Sequence, residues 1–215
     1  VVIARGVDCE LFNPVRRSDA LRSSWGAGTH DPVVLYVGRL APEKNVHEIL
    51  RAALALPQLE FVIGGDGPLR RQLEEQAAGH ANVRFAGWLS RQALISMIDE
   101  ADLLLLPSAF ETFGSVALEA MARGRPAVVT TSAGISAWPQ LNAGLITIPS
   151  PDSLGGALAE RLDVAIDQTI GQLREELRAE PGKIPQGKRF DELSCTLDFY
   201  PTIAAAAGIP APEHL

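Results

Sequence analysis

The sequence predicts an α/β protein: a doubly wound parallel sheet followed by an irregular, α-rich C-terminal tail. Three observations predict it. Short continuous apolar runs, such as Val33 to Val37 and Leu103 to Leu106, read as strands buried on both faces. Stretches with helical spacing of apolar residues, such as Val46 to Leu56, fall between them. Glycine-bearing turns separate strand from helix repeatedly, and this alternation is the mark of βαβ units.

The elements follow in order. Val1 to Pro14 is extended in character, with a turn around Gly6. Val33 to Val37 is the first buried strand, and Val46 to Leu56 the helix after it. Leu59 to Ile63 reads as a strand closed by the turn Gly64-Gly65-Asp66-Gly67-Pro68. Leu69 to Ala78 reads as a helix with Arg and Glu on its outer face, and Val83 to Phe85 as a short strand. Ser90 is the expected N-cap of a helix to about Ile98. Leu103 to Leu106 is a strand, and Gly114 to Ala122 a helix ended by Gly124 and Pro126. Ala127 to Thr130 and Leu145 to Ile148 are two further strands, and Ser153 opens a helix running toward Arg178. After about Leu162 the texture changes to crowded charges, then turn formers, then an alanine- and proline-rich end. A boundary is therefore expected there, with residues 1–162 as the α/β domain and 163–215 as an atypical tail.

Composition narrows the function classes. With 47% hydrophobic and 21% charged residues, the 215-residue chain can bury one good core and an appendage. A net charge of −7 argues against a nucleic-acid partner held by bulk electrostatics. Cys9 and Cys195 lie far apart, with no metal or redox spacing, and read as reduced thiols of a cytoplasmic protein. No apolar run reaches transmembrane length. The chain starts at Val1 without Met and is expected to be a fragment.

Four sets of residues carry candidate chemistry at strand ends, where open α/β sheets bind ligands. Gly38 lets the chain turn close to a ligand, and Arg39 offers a forked donor suited to phosphate. Lys44, at the start of the next helix, is opposed by the helix dipole, which makes more sense if an anion compensates. Read alone, both cations are equally well ordinary surface charges. The Gly64-to-Pro68 turn resembles a dinucleotide fingerprint only in part, because Arg70 takes the third glycine position, so a tight turn is the expected role. The fourth set is Phe110 to Ala122. Here Glu111 and Glu119 flank Gly114 at a helix start, with the backbone N–H groups of Phe113, Gly114, Ser115 and Val116 available to an anion. The plain alternative pairs Glu119 with Arg123 on a helix surface and leaves Glu111 a loop acid. Acids and bases on one rim suit a ligand with both hydroxyls and phosphates. No P-loop, zincin or nucleophile-elbow motif is present, and the four histidines show no ligand spacing. Trp88 and Trp138 read as packing residues, although Trp88 follows a strand and could line a pocket.

Four motifs together resemble a known family: Arg-Gly-Val-Asp-x-x-x-Phe (Arg5 to Phe12), Tyr-Val-Gly-Arg-Leu-Ala-Pro-Glu-Lys-Asn (Tyr36 to Asn45), Gly-Asp-Gly-Pro (Gly65 to Pro68) and Glu-x7-Glu (Glu111 to Glu119). In this order they are similar to the C-terminal, donor-binding half of retaining glycosyltransferases with the GT-B architecture, which include bacterial mannosyl- and glucosyltransferases. The resemblance covers about Val1 to Leu162. It implies that Arg39 and Lys44 hold the donor diphosphate and stabilise the leaving group with no metal. It implies that Glu111 contacts the donor sugar hydroxyls near the reacting carbon, and that Gly38 belongs to the donor-binding set. The helix-start amides from Phe113 to Val116 would meet phosphate or sugar, and Glu119 the ribose. Gly87, Trp88 and Leu89 would border the nucleobase. The substrate implied is a nucleotide sugar such as GDP-mannose or UDP-glucose, with no cofactor.

The resemblance also implies an N-terminal acceptor domain, which this chain lacks, so the chain alone is expected to bind nucleotide sugar weakly and not to turn over. The acceptor would be a lipid or glycan. A lipid acceptor would place the enzyme at the inner face of the membrane. The tail differs. Ile166 to Glu180, Pro181 to Gly187 and Thr196 to Pro210 resemble segments of type I sulfatases, without that family's nucleophile motif or metal pair. The alternatives are a non-catalytic nucleotide-sugar-binding module, a stranded fragment and, more weakly, a sulfatase-related piece.

Overall fold

The computed structural model describes residues 4–5, 19–28, 31–137, 144–150 and 197–198. The expected helix from Ser153, the residues around Trp138, and most of the N-terminal segment and tail lie outside these residues.

Six parallel strands form the sheet: β2 (Val33–Val37), β3 (Glu60–Gly64), β4 (Val83–Gly87), β5 (Leu103–Leu106), β6 (Ala127–Thr130) and β7 (Leu145–Ile148). Their order is β4-β3-β2-β5-β6-β7. Residues of β1 (Ala4–Arg5) pair antiparallel with β8 (Leu197–Asp198) apart from this sheet. Every expected strand between Val33 and Ile148 is present, shifted by a residue or two at most. The central strands β2, β5 and β6 are buried almost throughout, as their continuous apolar runs require.

Period-two alternation sends each strand's side chains to two cores. Val33, Leu35, Val62, Leu104, Leu106 and Val129 face one core, together with helices α4 (Arg91–Glu100) and α5 (Ser115–Ala122). Val34, Tyr36, Phe61, Ile63, Leu103 and Leu105 face the other, with α2 (Val46–Ala55) and α3 (Arg70–Gln76). Helices on both faces make the sheet doubly wound. Ser90 caps α4, its Oγ accepting from the Ala93 N–H at 3.2 Å.

A short helix, α1 (Asp19–Ser24), is an addition that the sequence pattern did not announce. It is too short to show an amphipathic period, and a tertiary polar network holds it. The buried Arg22 guanidinium donates to Glu100 O at 2.6 Å and to Asp102 Oδ2 at 3.3 Å. Asp102 Oδ2 also accepts from the Val33 N–H at 2.9 Å. The network therefore ties α1 to the N-terminal ends of β2 and β5. A second buried pair, Arg123 forked onto Asp99, joins the end of α5 to α4. Beside it Arg125 donates to Ile98 O at 3.2 Å.

Removing one member of a buried pair strands the other in a poorly solvated site. Arg22→Met should lower unfolding stability by about 3–5 kcal/mol in urea titrations. A loss of about 1 kcal/mol or less, the size of an exposed pair, would show that Arg22 does not anchor α1.

Candidate functional site

Chain progression through the sheet reverses between β2 and β5, which are hydrogen-bonded neighbours. An open α/β sheet has its ligand crevice beyond the carboxyl ends of such a pair. The two loops leaving these strands contain Gly38 to Asn45 and Pro107 to Gly114.

The first loop is held by its neighbour. The Gly38 N–H donates to Gly64 O at 3.1 Å and the Leu40 N–H to Asp66 O at 2.9 Å. The Leu69 N–H returns a bond to Leu40 O at 3.0 Å. The Gly64-to-Gly67 turn is thus a clasp. A Cβ on Gly65 would stand 1.9 Å from Gly38 O, and one on Gly67 would stand 2.4 Å from Leu40 O. These glycines serve close backbone approach, in accord with the expected tight turn. Asp66 accepts from the Gly67 N–H at 2.7 Å, as a turn former does. Tyr36, which the sequence did not single out, donates its phenol to Arg39 O at 2.9 Å. Burial, with Glu111 and Glu43 nearby, pushes that phenol's pKa upward, so it remains a donor.

Arg39 itself points outward and pairs with Glu43 on an exposed turn. Such a pair is weak and easily exchanged for another anion. Lys44 differs from its expected place. It ends a 3-10 turn, Pro42–Lys44, and Asn45 stands between it and α2. Its compensating anion is internal: Lys44 Nζ lies 2.6 Å from Glu111 Oε2, with the two side chains 22% and 18% exposed.

The second loop carries Glu111 and Gly114. Gly114, at φ 90, occupies the left-handed region as the N-cap of α5. The Glu111 Cγ would lie 3.7 Å from a Cβ on Gly114, so the carboxylate side chain runs alongside the helix start. Among the described residues no carbonyl accepts from the N–H groups of Gly114, Ser115 or Val116, as at the first turn of any helix, where such amides can meet an anion. Phe113 turns its ring into the core and its carbonyl accepts from the Ile135 N–H at 3.1 Å. Gly134 is a further residue that sequence reading passed over. Its N–H donates to Glu111 O at 3.1 Å, and a Cβ there would stand 2.2 Å from Thr112 O. Its signal was a lone glycine after a strand, indistinguishable from any turn glycine.

The rest of the expected set lies around this centre. Glu119 does not pair with Arg123, which is taken by Asp99. It lies 3.7 Å from Arg91 at the start of α4, with its side chain 14% exposed. Burial raises its carboxyl pKa above the ordinary 4.5, and Arg91 opposes the rise. Trp88 is 77% exposed, so its reading as a packing residue is overturned; Leu89 beside it packs inward. Phe110, next to Glu111, is 83% exposed. The structure therefore brings Lys44, Glu111 and Gly114 into one cluster, while Arg39 and Glu119 engage partners of their own.

A family model described as "Glycosyl transferases group 1" matches residues 17–179. The chain belongs to that family. It is 34% identical over 163 residues to the GDP-mannose-dependent alpha-(1-6)-phosphatidylinositol dimannoside mannosyltransferase of Mycobacterium tuberculosis, covering 74% of this chain and 42% of that protein. It is 33% identical over 192 residues to the D-inositol 3-phosphate glycosyltransferase of Mycolicibacterium smegmatis, covering 85% and 41%. Among solved structures, Anabaena HepE in complex with UDP superposes with a TM-score of 0.64 at 25% identity, over 93% of this chain and 56% of that one. The fold is thus the Rossmann-like half seen in GT-B glycosyltransferases. The chain spans less than half the length of the two curated relatives.

The group 1 match runs to residue 179, across part of the stretch whose motifs resemble sulfatases. No finding supports the sulfatase likeness. Among the described residues no cluster of three or more His, Cys, Asp or Glu side chains is placed to hold a metal ion, and no helix is long and apolar enough to cross a membrane.

Glu119 gives this group 1 domain a testable pH signature. Its raised carboxyl means that the folded chain holds the proton more tightly than the unfolded chain does. The resulting cost to stability is absent below the ordinary value and grows as pH rises through the folded value. Glu119→Gln should therefore raise the melting temperature relative to wild type at about pH 8 and match it near about pH 4. A difference independent of pH would refute this assignment.

Proposed function

We propose that this chain is the donor-binding half of a retaining hexosyltransferase that uses a nucleoside diphosphate sugar. The observation that carries the reading is the Lys44–Glu111 contact at the topological switch, beside the open amides of α5. It puts a cation, a carboxylate and a helix N-terminus within one crevice, the groups that a diphosphate and sugar hydroxyls require. The names of relatives support the ligand class: mannosyltransferases dependent on GDP-mannose, and HepE structures with UDP and UDP-glucose.

In this reading Arg39 leaves Glu43 and joins Lys44 on the diphosphate, stabilising charge on the leaving group as the glycosidic bond breaks. Glu111, released from Lys44 or shared with it, accepts hydrogen bonds from the donor sugar. The amides from Phe113 to Val116 take a phosphate or sugar oxygen, with Gly38 giving the ligand room. Glu119 accepts from the ribose. Gly87, Trp88 and Leu89 border the nucleobase, and the exposed Trp88 ring is free to cover it. No metal ion has a part. The sugar is of mannosyl or glucosyl type.

The acceptor, a lipid or glycan, would bind a second domain, with the enzyme in the cytoplasm or at the inner face of the membrane. Residues 1–162 would form the donor domain. The tail is assigned no sulfatase role. A non-catalytic nucleotide-sugar-binding module is the second reading, favoured by the same contact if no acceptor domain accompanies it.

Titration calorimetry with GDP, UDP and their sugars tests both readings. One nucleotide should bind weakly, and Lys44→Ala or Arg39→Ala should each cost about 1.5–3 kcal/mol if each makes a charged hydrogen bond. Sugar transfer by this chain alone should be undetectable. No binding at millimolar nucleotide would sink both readings, and an unchanged affinity in either variant would return that cation to the surface.

A further inference from the structure

The geometry points to Asn45 as a positioning residue that fixes Lys44 against Glu111 through its carboxamide. Asn45, at φ 51, is the one non-glycine residue with positive φ among the described residues. Asparagine tolerates this region better than most residues because its short polar side chain can hydrogen-bond locally. An asparagine before a helix ordinarily uses that side chain to cap the first turn. Asn45 does not: no side-chain cap bond is made to α2. Its Nδ2 instead donates to Pro107 O at 3.0 Å, across the switch point and 62 positions along the chain. Backbone needs alone would be met by glycine.

The bond has a counterpart on the other side of Lys44. The Ala109 N–H donates to Glu43 O at 3.2 Å. The residues before and after Lys44 are thus each tied to the segment that leads into Glu111. Lys44 has a flexible four-carbon stem, and its ammonium can occupy many places from a loosely held backbone. Two cross-loop bonds set the Cα from which 2.6 Å to Glu111 is reached. That Lys44 then meets a donor anion rests on the function proposed above. That Asn45 places Lys44 does not.

The test is native acylation of lysine amines at low modification, followed by peptide mass spectrometry, with Lys183 as internal reference. Asn45→Gly keeps the backbone conformation and removes the carboxamide. Asn45→Asp keeps the side-chain shape and removes the N–H donor. Lys44 should be acylated about five-fold faster in both variants, the worth of one lost hydrogen bond, and Glu111→Gln sets the scale for a fully released amine. Unchanged Lys44 labelling in either folded variant would overturn the assignment. A second arm measures GDP and UDP affinity. Asn45→Gly should weaken binding about five-fold with Lys44 present and not at all in Lys44→Ala. An equal loss in both backgrounds would also overturn it. If wild type binds no nucleotide, the proposed function fails while the labelling arm still decides the role of Asn45.

Discussion

Lys44 reaches Glu111 only because β2 and β5 lie side by side, joined to the rest of the chain by crossovers on opposite sides. Parallel pairing sends both strands to the same edge, so their exit loops meet there. At the other edge the buried Arg22 ties the entry points together through Asp102, which also accepts from the start of β2. One strand pair is thereby pinned at both ends, by a structural network on one side and the candidate site on the other.

The candidate site rests on a closely fitted backbone. Its backbone is set by close approaches that admit only glycine: Gly65 and Gly67 against the first loop, and Gly134 against the second. What remains adjustable is side-chain charge. Arg39 is paired on the surface, Lys44 is sheltered against a carboxylate, and burial raises the Glu119 carboxyl pKa. An anionic, hydroxyl-bearing ligand would exchange these internal pairings for its own. This suits a site that must hold charge apart from water without collapsing around it.

Much of this was legible in the sequence. The buried strands announced themselves because parallel strands are apolar on both faces and read as short continuous apolar runs. Gly38 was identifiable because it falls directly after such a strand, and Glu111 and Gly114 because they lie in the glycine-bearing loop between a strand and the next helix. Other features left no local trace. Helix α1 is too short for a period. Helical spacing offered Arg123 as the plain alternative partner for Glu119, but a buried carboxylate on a neighbouring helix, Asp99, holds that arginine. Trp88 looked like core by residue type, yet its ring faces outward while Leu89 takes the inward place. Tyr36 and Asn45 stood at the ends of a motif with no role attached, and only the bonds each makes in the fold gave them one.

The sequence by itself determined the fold class and the strand-by-strand layout, and it picked out the candidate residues that the structure gathers at the switch. Those depend on local pattern: apolar period, turn glycines and motif order. The tertiary structure alone decided who pairs with whom. Lys44 and Glu111 are 67 positions apart, and Asn45 and Pro107 are 62 apart. No periodicity reaches across such separations. The contacts exist because the sheet brings two distant strand ends within hydrogen-bond distance, and folding chooses those neighbours by burying both faces of the strands.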